Sequence, residues 1–354
     1  MNTLIIPCAG KSNRFPNMKP KYLLTHPDGE LMIQKAMKGI NIDVFDRVII
    51  TIVKPHDDKY EAKTILKQVF AKNKKVEICV LEDFTKSASE TVYLTLKNMK
   101  VSRGGIVVKD SDNYVKTIIR KKINNFITGY DLHKHPNISN IPGKSFLIVN
   151  EQNIIDDIIE KKVVSSIISL GVYAFESPDI FISGYEKLSV EKLGGGEMFV
   201  SHVISYLIST KKVVFEYNEA CGYEDWGTLA EWKDVQKRFR TYFIDIDGVL
   251  MKNSGQYGKI NWSNNKITIE ENINVIKQLQ DLGGQIVIVT SRTEKYKTAI
   301  QKILNKNGIK PYAIITGLNH SARVVINDFA PTNPYPSAVA INIPRNNSLK
   351  EYFQ

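Results

Sequence analysis

Leu4-Ile5-Ile6-Pro7-Cys8-Ala9-Gly10-Lys11-Ser12-Asn13-Arg14-Phe15, trailed by Lys19-Pro20-Lys21, is the stretch that decides how the rest of the chain is read. An apolar run ends in a small-residue turn, and an arginine and two lysines follow. A strand that delivers Ala9-Gly10 lets backbone come close to a phosphate, because glycine has no side chain in the way and tolerates unusual dihedrals. Arg14 and Lys21 then stand where they neutralise charge on a leaving pyrophosphate. The loop reads as a triphosphate cradle with Ala9, Gly10 and Lys11 against the nucleotide; the plainer alternative is a strand, a polar turn and solvated lysines.

The chain around this loop has 354 residues, long for one domain, and two cores are expected. At 43% hydrophobic residues it can bury both. No apolar run is long enough to span a bilayer, and the apolar start runs straight into the loop without the order of a signal peptide, so a cytoplasmic protein without a membrane partner is expected. Cys8, Cys79 and Cys221 are far apart, odd in number and without metal-ligand spacing, which points to free thiols in a reducing compartment. The net charge is +11, of which +5 lies from Thr241 onward. An excess spread over both parts fits an anionic small substrate as well as a polynucleotide, and no nucleic-acid partner is expected.

Downstream of the loop, Met32 to Met37 reads as a helix start, Arg47 to Val53 as a buried strand, Lys59 to Ala71 as a helix and Val76 to Leu81 as a further strand. Strands alternating with helices argue for a largely parallel α/β sheet, with function at the carboxyl ends of its strands. The next such end, Glu82 to Thr91, opens a helix that Ser87 or Ser89 would cap, with Glu90 in its first turn. Gly104-Gly105-Ile106-Val107-Val108-Lys109-Asp110-Ser111-Asp112-Asn113 carries a stronger signal. Two carboxylates one residue apart, just after an apolar strand, share a hard cation through oxygen ligands. Asp110 is the first choice because it ends the strand, and Asp112 is the alternative or a second ligand; an Asp-rich turn capping a strand is the structural alternative.

Further on, Phe146 to Val149 is strand-like, and Val163 to Phe175 alternates as a strand does. Gly194-Gly195-Gly196-Glu197 opens an apolar helix from Met198 to Leu207. At Phe243-Ile244-Asp245-Ile246-Asp247-Gly248-Val249-Leu250 the strand-then-acid pattern begins again. Asp245 and Asp247 leave that strand together, one placed to attack phosphorus and the other to move a proton, with Mg²⁺ between them and the phosphate.

These motifs resemble two families. The opening loop, with its arginine and Pro-Lys, resembles the signature of nucleotide-sugar pyrophosphorylases and related nucleotidyltransferases. Lys11-Ser12-Asn13 departs from it where the family has a second loop glycine. The resemblance implies a Rossmann-like mixed-sheet, GT-A-like α/β domain over residues 1–239. In that family the helix start at Ser87, Ser89 and Glu90 lines the nucleobase pocket, an aspartate in the place of Asp110 holds Mg²⁺, and a late Asp-x-Gly-Thr, here Asp225-Trp226-Gly227-Thr228, returns a second aspartate to the metal. Glu160-Lys161 and Gly171-x-Tyr173 resemble the acceptor-phosphate site, although Lys162 stands where the family usually has proline. Glu197 resembles the glutamate that bonds acceptor hydroxyls.

Residues 240–354 resemble the haloacid-dehalogenase phosphatases, a small HAD-like α/β domain. There Asp245 and Asp247 are also metal-site residues and Thr290, after Ile286 to Val289, bonds the phosphate. Asp328, after a strand from Arg323 to Ile326, is a metal ligand. Arg323 is well placed by sequence for the third-motif cation, while Lys310 is the better chemical match. Asn327 stands at an often acidic position.

Together the resemblances imply a bifunctional enzyme using Mg²⁺ in both domains. A nucleoside triphosphate and a sugar phosphate give a nucleotide sugar and pyrophosphate, and a phosphomonoesterase acts on a related intermediate, as in surface or capsular polysaccharide precursor synthesis. CTP with a phosphocholine-like or polyol phosphate acceptor, beside a structural or weakly active second domain, fits the same motifs. A glycosyltransferase using Asp110-x-Asp112 and a non-enzymatic binding module are the other rivals. The base and the oligomeric state, a homo-oligomer included, stay open.

Overall fold

The computed structural model describes residues 1–135, 138, 140–191, 197–255, 267–328 and 337–353. The chain divides into two compact units, Met1–Trp232 and Lys233–Gln354, so the division falls within the helix Leu229–Arg238, a little before the boundary at 239/240 expected from sequence.

The strands of the first unit are β1 (Thr3–Pro7), β2 (Arg47–Val53), β3 (Val76–Leu81), β4 (Ile106–Lys109), β5 (Asn113–Lys116), β6 (Phe126–Asp131), β7 (Ser145–Val149), β8 (Ile154–Glu160), β9 (Ile167–Phe175), β10 (Phe215–Glu219) and β11 (Gly222–Asp225). Its helices are α1 (Met32–Lys38), α2 (Lys54–Tyr60), α3 (Ala62–Val69), α4 (Ala88–Asn98), α5 (Pro178–Glu191), α6 (Val200–Lys211) and α7 (Leu229–Arg238). The main sheet runs β3-β2-β1-β4-β9-β6-β10-β8-β7. Its first four strands are parallel, as the strand–helix alternation implies, and β9 then joins antiparallel to β4 and β6, making the sheet mixed.

Successive residues of β1 and β2 supply opposite faces. Leu4, Ile6, Val48 and Ile50 enter one apolar cluster, and Ile5, Ile49 and Val53 enter another. A strand buried on both sides by a period-two pattern must sit between two layers, so its near-continuous Val/Ile run is the expected reading of a central parallel strand. Each such aliphatic side chain, fully buried, stabilises the fold by about 1.5–3 kcal/mol. β9 is buried almost throughout and begins at Ile167, later than the alternation from Val163 suggests. The helix expected from Lys59 to Ala71 is two helices, because Glu61 adopts φ +52 between α2 and α3.

The feature that shapes the site is a ribbon outside the main sheet. β11 pairs antiparallel with β5, setting Asp225 opposite Asn113, and the Trp226 amide continues by donating to the Asp112 carbonyl at 2.9 Å. Behind it, Trp226 and Trp232 are buried and pack edge-on, with His26 against both.

The second unit holds β12 (Thr241–Asp245), β13 (Gln285–Val289) and β14 (Ala313–Ile315) as a parallel sheet, with α8 (Glu270–Asp281) and α9 (Lys297–Lys306). Ile244, Ile246, Ile273, Ile276, Ile288, Ile300 and Leu304 form its own core. The strand expected at Arg323–Ile326 is irregular chain instead, and Val324, Val325 and Ile326 are 80%, 60% and 90% exposed. An apolar run becomes a strand only when a neighbouring edge takes its backbone bonds, and this run has no strand partner among the described residues. Among the described residues no helix is long and apolar enough to cross a membrane.

Candidate functional site

A cavity of about 580 Å³ opens above the carboxyl ends of β1 and β4, within the range of small-molecule sites. Ala9, Gly10, Lys11, Ser12, Asn13, Arg14 and Lys21 line one side of it. The left-handed residue in this loop is Ser12, at φ +54, and not Gly10, whose missing side chain leaves open space above the backbone. Ser12 Oγ accepts from the Lys21 amide at 3.4 Å, and Phe15 is buried beneath, so loop and lysine are fixed as a unit. The loop thus makes its left-handed turn at a serine within Lys11-Ser12-Asn13.

At the start of α4, Ser87 is the N-cap, accepting from the Glu90 amide at 3.1 Å. Ser87 lines the cavity together with Ala88, Thr85 and Thr91. Ser89 and Glu90, expected at the nucleobase, do not line it. Ser89 Oγ donates to the Met198 carbonyl at 2.5 Å, tying the start of α4 to the segment before α6, and the Glu90 carboxylate turns back to accept from the Lys86 amide within its own loop.

The carboxylates sit at the centre. Asp110 ends β4, its amide donating to the Gly171 carbonyl at 2.9 Å. Gly171, at φ +71, leaves its side-chain space to Asp110, whose Oδ2 lies 2.0 Å from where a Cβ would stand. Gly171 is required here by the carboxylate as well as by the dihedral. Burial, reinforced by Asp112, pushes the Asp110 carboxyl well above the usual range. Asp112 is half-buried, and although burial pushes its carboxyl up, the Lys21 ammonium, 2.5 Å from its Oδ2, together with Lys109 and Lys144 holds it below the ordinary value. The two acids are therefore split, one favouring its neutral form and one its charged form.

Asp225 arrives on β11. The side-chain position of Gly227 lies 3.1 Å from Asp225 Oδ1, 3.6 Å from Asp112 Oδ2 and 3.8 Å from Glu231 Oε2, so acidic oxygens from three residues converge there. Among the described residues, no three His, Cys, Asp or Glu side chains are spaced to hold a metal ion by themselves. An all-oxygen pair at Asp112 and Asp225, with Asp110 beside it, still fits Mg²⁺, which takes one or two carboxylates and completes its shell with water and substrate phosphate.

Glu160, Lys161, Gly171 and Glu197, the residues expected to meet the acceptor, also line the cavity. Glu160 accepts from Ser145 and Ser201 at 2.5 and 2.6 Å, and Lys161 lies 4.2 Å from the centroid of the Phe199 ring. Glu197 precedes α6, which begins at Val200; the glycines Gly194 to Gly196 lie outside the described residues.

Two lysines escaped the sequence reading. Lys109, fully buried, donates to the Asp110 carbonyl at 2.6 Å, to the Asn113 carbonyl at 3.0 Å and to the Asn113 side chain, clamping the Asp110–Asn113 turn. Lys144, beside β7, pairs with Asp225 and donates to the Tyr223 hydroxyl at 3.0 Å. An inward-facing lysine inside a strand end was the available sign for Lys109. Lys144 carried none. Cys8 also lines the cavity, but burial pushes its thiol up to about 12, which rules it out as a nucleophile at neutral pH.

In the second unit, Asp245 ends β12, half-buried, and burial raises its carboxyl above the usual value. Asp247 is gripped at two points by the buried Arg292, Nε to Oδ2 at 2.9 Å and Nη2 to Oδ1 at 2.6 Å. Thr290 is buried just past β13, its Oγ1 accepting from the Arg292 amide at 3.1 Å. Arg323 reaches within 3.8 Å of Asp245, while the Lys310 amide donates to Gln280. Asp328 is exposed in irregular chain, so the strand-end placement expected for this metal ligand is corrected: the chain there is unpaired, and no third acid is brought to Asp245 and Asp247 among the described residues.

Residues 242–319 match the haloacid dehalogenase-like hydrolase family. The second unit carries a domain of that family. For the first unit the comparison is one of fold. The nucleoside-diphosphate-sugar pyrophosphorylase from Vibrio cholerae RC9 superposes with a TM-score of 0.56 at 19% identity, over 66% of this chain and 98% of that one. The inositol-1-phosphate CTP transferase from T. maritima gives 0.50 at 12%, over 67% and 95%. The CTP:phosphocholine cytidylyltransferase from Streptococcus pneumoniae gives 0.50 at 15%, over 66% and 97%. The first two-thirds of the chain thus has a nucleotidyltransferase fold. No curated protein matches the sequence.

Proposed function

We propose that the first unit transfers a nucleotidyl group from a nucleoside triphosphate to a phosphorylated small molecule, a sugar phosphate in the preferred reading, with release of pyrophosphate. The observation that carries this reading is the convergence on one cavity of the Ala9–Arg14 loop, Lys21 and the carboxylates of Asp110, Asp112 and Asp225. Arg14, Lys21 and the loop backbone hold the departing phosphates and spread their charge. Ser87, Ala88 and Thr91 border the space for the base. Glu160, Lys161 and Glu197 orient the acceptor so that its phosphate oxygen faces the α-phosphorus. Mg²⁺, held by Asp112 and Asp225 with Asp110 alongside, would supply Lewis-acid polarisation of the α-phosphate.

The second unit, in this reading, is a phosphomonoesterase: Asp245 attacks phosphorus and takes the phosphoryl group, Asp247 gives a proton to the leaving alcohol, water then hydrolyses the aspartyl-phosphate to free phosphate, and Thr290 bonds the phosphate oxygens; Mg²⁺ would be held at the same acids. Such a pair suits a short cytoplasmic route to a surface-polysaccharide precursor, one unit dephosphorylating an intermediate and the other activating it.

CTP with a cationic acceptor such as phosphocholine is the second reading. Tyr173, Phe199 and Tyr223 line the acceptor side together with Glu160 and Glu197, a set that accommodates a cation as well as hydroxyls. Pyrophosphate release measured over four nucleoside triphosphates and a panel of sugar, polyol and choline phosphates separates the two. No release with any pair, or consumption of a nucleotide sugar instead, overturns nucleotidyl transfer.

A further inference from the structure

Two ammonium groups are spent on the carboxylates that would hold the cation: Lys21 on Asp112 and Lys144 on Asp225. Lys21 lies on the nucleotide side. Lys144 lies where the acceptor wall meets the acids, next to Ser145, whose hydroxyl bonds Glu160. Its side chain is 11% exposed and that of Asp225 10%, so both charges are largely shielded from water. A buried ammonium and carboxylate are stable only while each has a partner. When Asp225 takes another partner, Lys144 keeps the field of Glu231, Asp112 and Asp110 around it, and in a site built for two phosphorylated substrates the anion that can newly come into contact with its ammonium is a phosphate oxygen.

We infer that Lys144 is the internal counter-ion of the transfer site: it neutralises Asp225 in the substrate-free protein, gives up Asp225 to a divalent cation, and turns its ammonium to the acceptor phosphate as a catalytic cation. This rests on the nucleotidyl-transfer reading and adds to it a residue outside the motifs that support it. The Tyr223 hydroxyl, 3.0 Å from the ammonium, gives the lysine a fixed pivot between the two positions. The cation enters with the nucleotide, and the lysine released by it meets the acceptor's negative charge.

The test uses Mn²⁺ titration of the full-length, substrate-free protein together with steady-state pyrophosphate release, on Lys144→Met and Lys144→Arg variants. Lys144→Met is expected to bind Mn²⁺ about tenfold more tightly than the parent, since no ammonium competes for Asp225. It is also expected to lose turnover and to raise the KM for the acceptor while leaving that for the nucleotide unchanged. Lys144→Arg, which keeps the charge and guards against misfolding of the Met variant, is expected to bind Mn²⁺ as the parent does. Unchanged or weaker Mn²⁺ binding by Lys144→Met overturns the exchange, and unchanged acceptor KM and turnover overturn the catalytic role. If the parent releases no pyrophosphate with any substrate pair, the nucleotidyl-transfer reading fails, and the Mn²⁺ titration still decides whether Lys144 competes for Asp225.

Discussion

Asp110 and Asp112 are one residue apart, yet their surroundings drive them in opposite directions. Asp112 has the Lys21 ammonium on its carboxylate; Asp110 is enclosed against Gly171, with Asp112's charge nearby. A carboxyl with a raised folded-state pKa keeps its proton after the unfolded chain has lost one. The unfolded state then binds fewer protons, and stability falls as pH rises from about 4, the ordinary carboxylate value, towards the raised folded one. Asp110→Asn removes that penalty. In metal-free buffer the variant is expected to exceed the parent in stability by roughly 1–3 kcal/mol at pH 8, and by little at pH 4. Urea unfolding at the two pH values checks it, and a gain of equal size at both would show that Asp110 titrates normally. The same substitution is expected to lower pyrophosphate release sharply, because Asp110 lines the cavity beside Asp112 and Asp225, where a bound cation would draw it into the charged form that Asn cannot adopt.

At the scale of elements, the site depends on the ribbon of β5 and β11, which carries Asp225 back to Asp112 across more than a hundred residues of chain. Trp226, at 0% exposure between His26 and Trp232, anchors it. Trp226→Ala is expected to destabilise the first unit by about 3–5 kcal/mol and to lower activity beyond what the lost stability explains, since Asp225 is its chain neighbour. Trp226→Phe, which keeps an apolar ring there, is expected to retain most of both, as read by thermal unfolding and pyrophosphate release. The ribbon also shows what the sequence could convey. β1, β2 and β4 were legible because central parallel strands leave near-continuous aliphatic runs, β3, at the sheet edge, because Val76, Ile78, Val80 and Leu81 still mark a strand, and Asp110 and Asp245 because each stands at the end of such a run. The loop cations were legible from their clustering after β1. Lys144 was not, because its role arises from a pairing made through the fold, with no local pattern to mark it. The Arg323–Ile326 run erred in the other direction: its composition is that of a strand, but it has no strand partner among the described residues, and composition does not encode pairing.

At the scale of the molecule, each unit has its own hydrophobic core and its own acidic centre, so the two chemistries should be separable by substitution. Asp245 belongs wholly to the second unit: it ends β12, bonds the Ile246 amide at 2.9 Å and is approached by Arg323. Replacing it with Asn removes the attacking oxygen while keeping the volume and the hydrogen-bonding acceptor. Phosphatase turnover is expected to fall by about a thousandfold or more, as for loss of any covalent nucleophile, while pyrophosphate release from the first unit stays at the parent level. Loss of both activities would mean that one centre serves both reactions. Phosphatase turnover that survives the substitution would take Asp245 out of the chemistry. Asp247 would not replace it, because both its oxygens are bonded by Arg292, which leaves neither free to attack phosphorus, and it moves a proton only when one of those bonds opens.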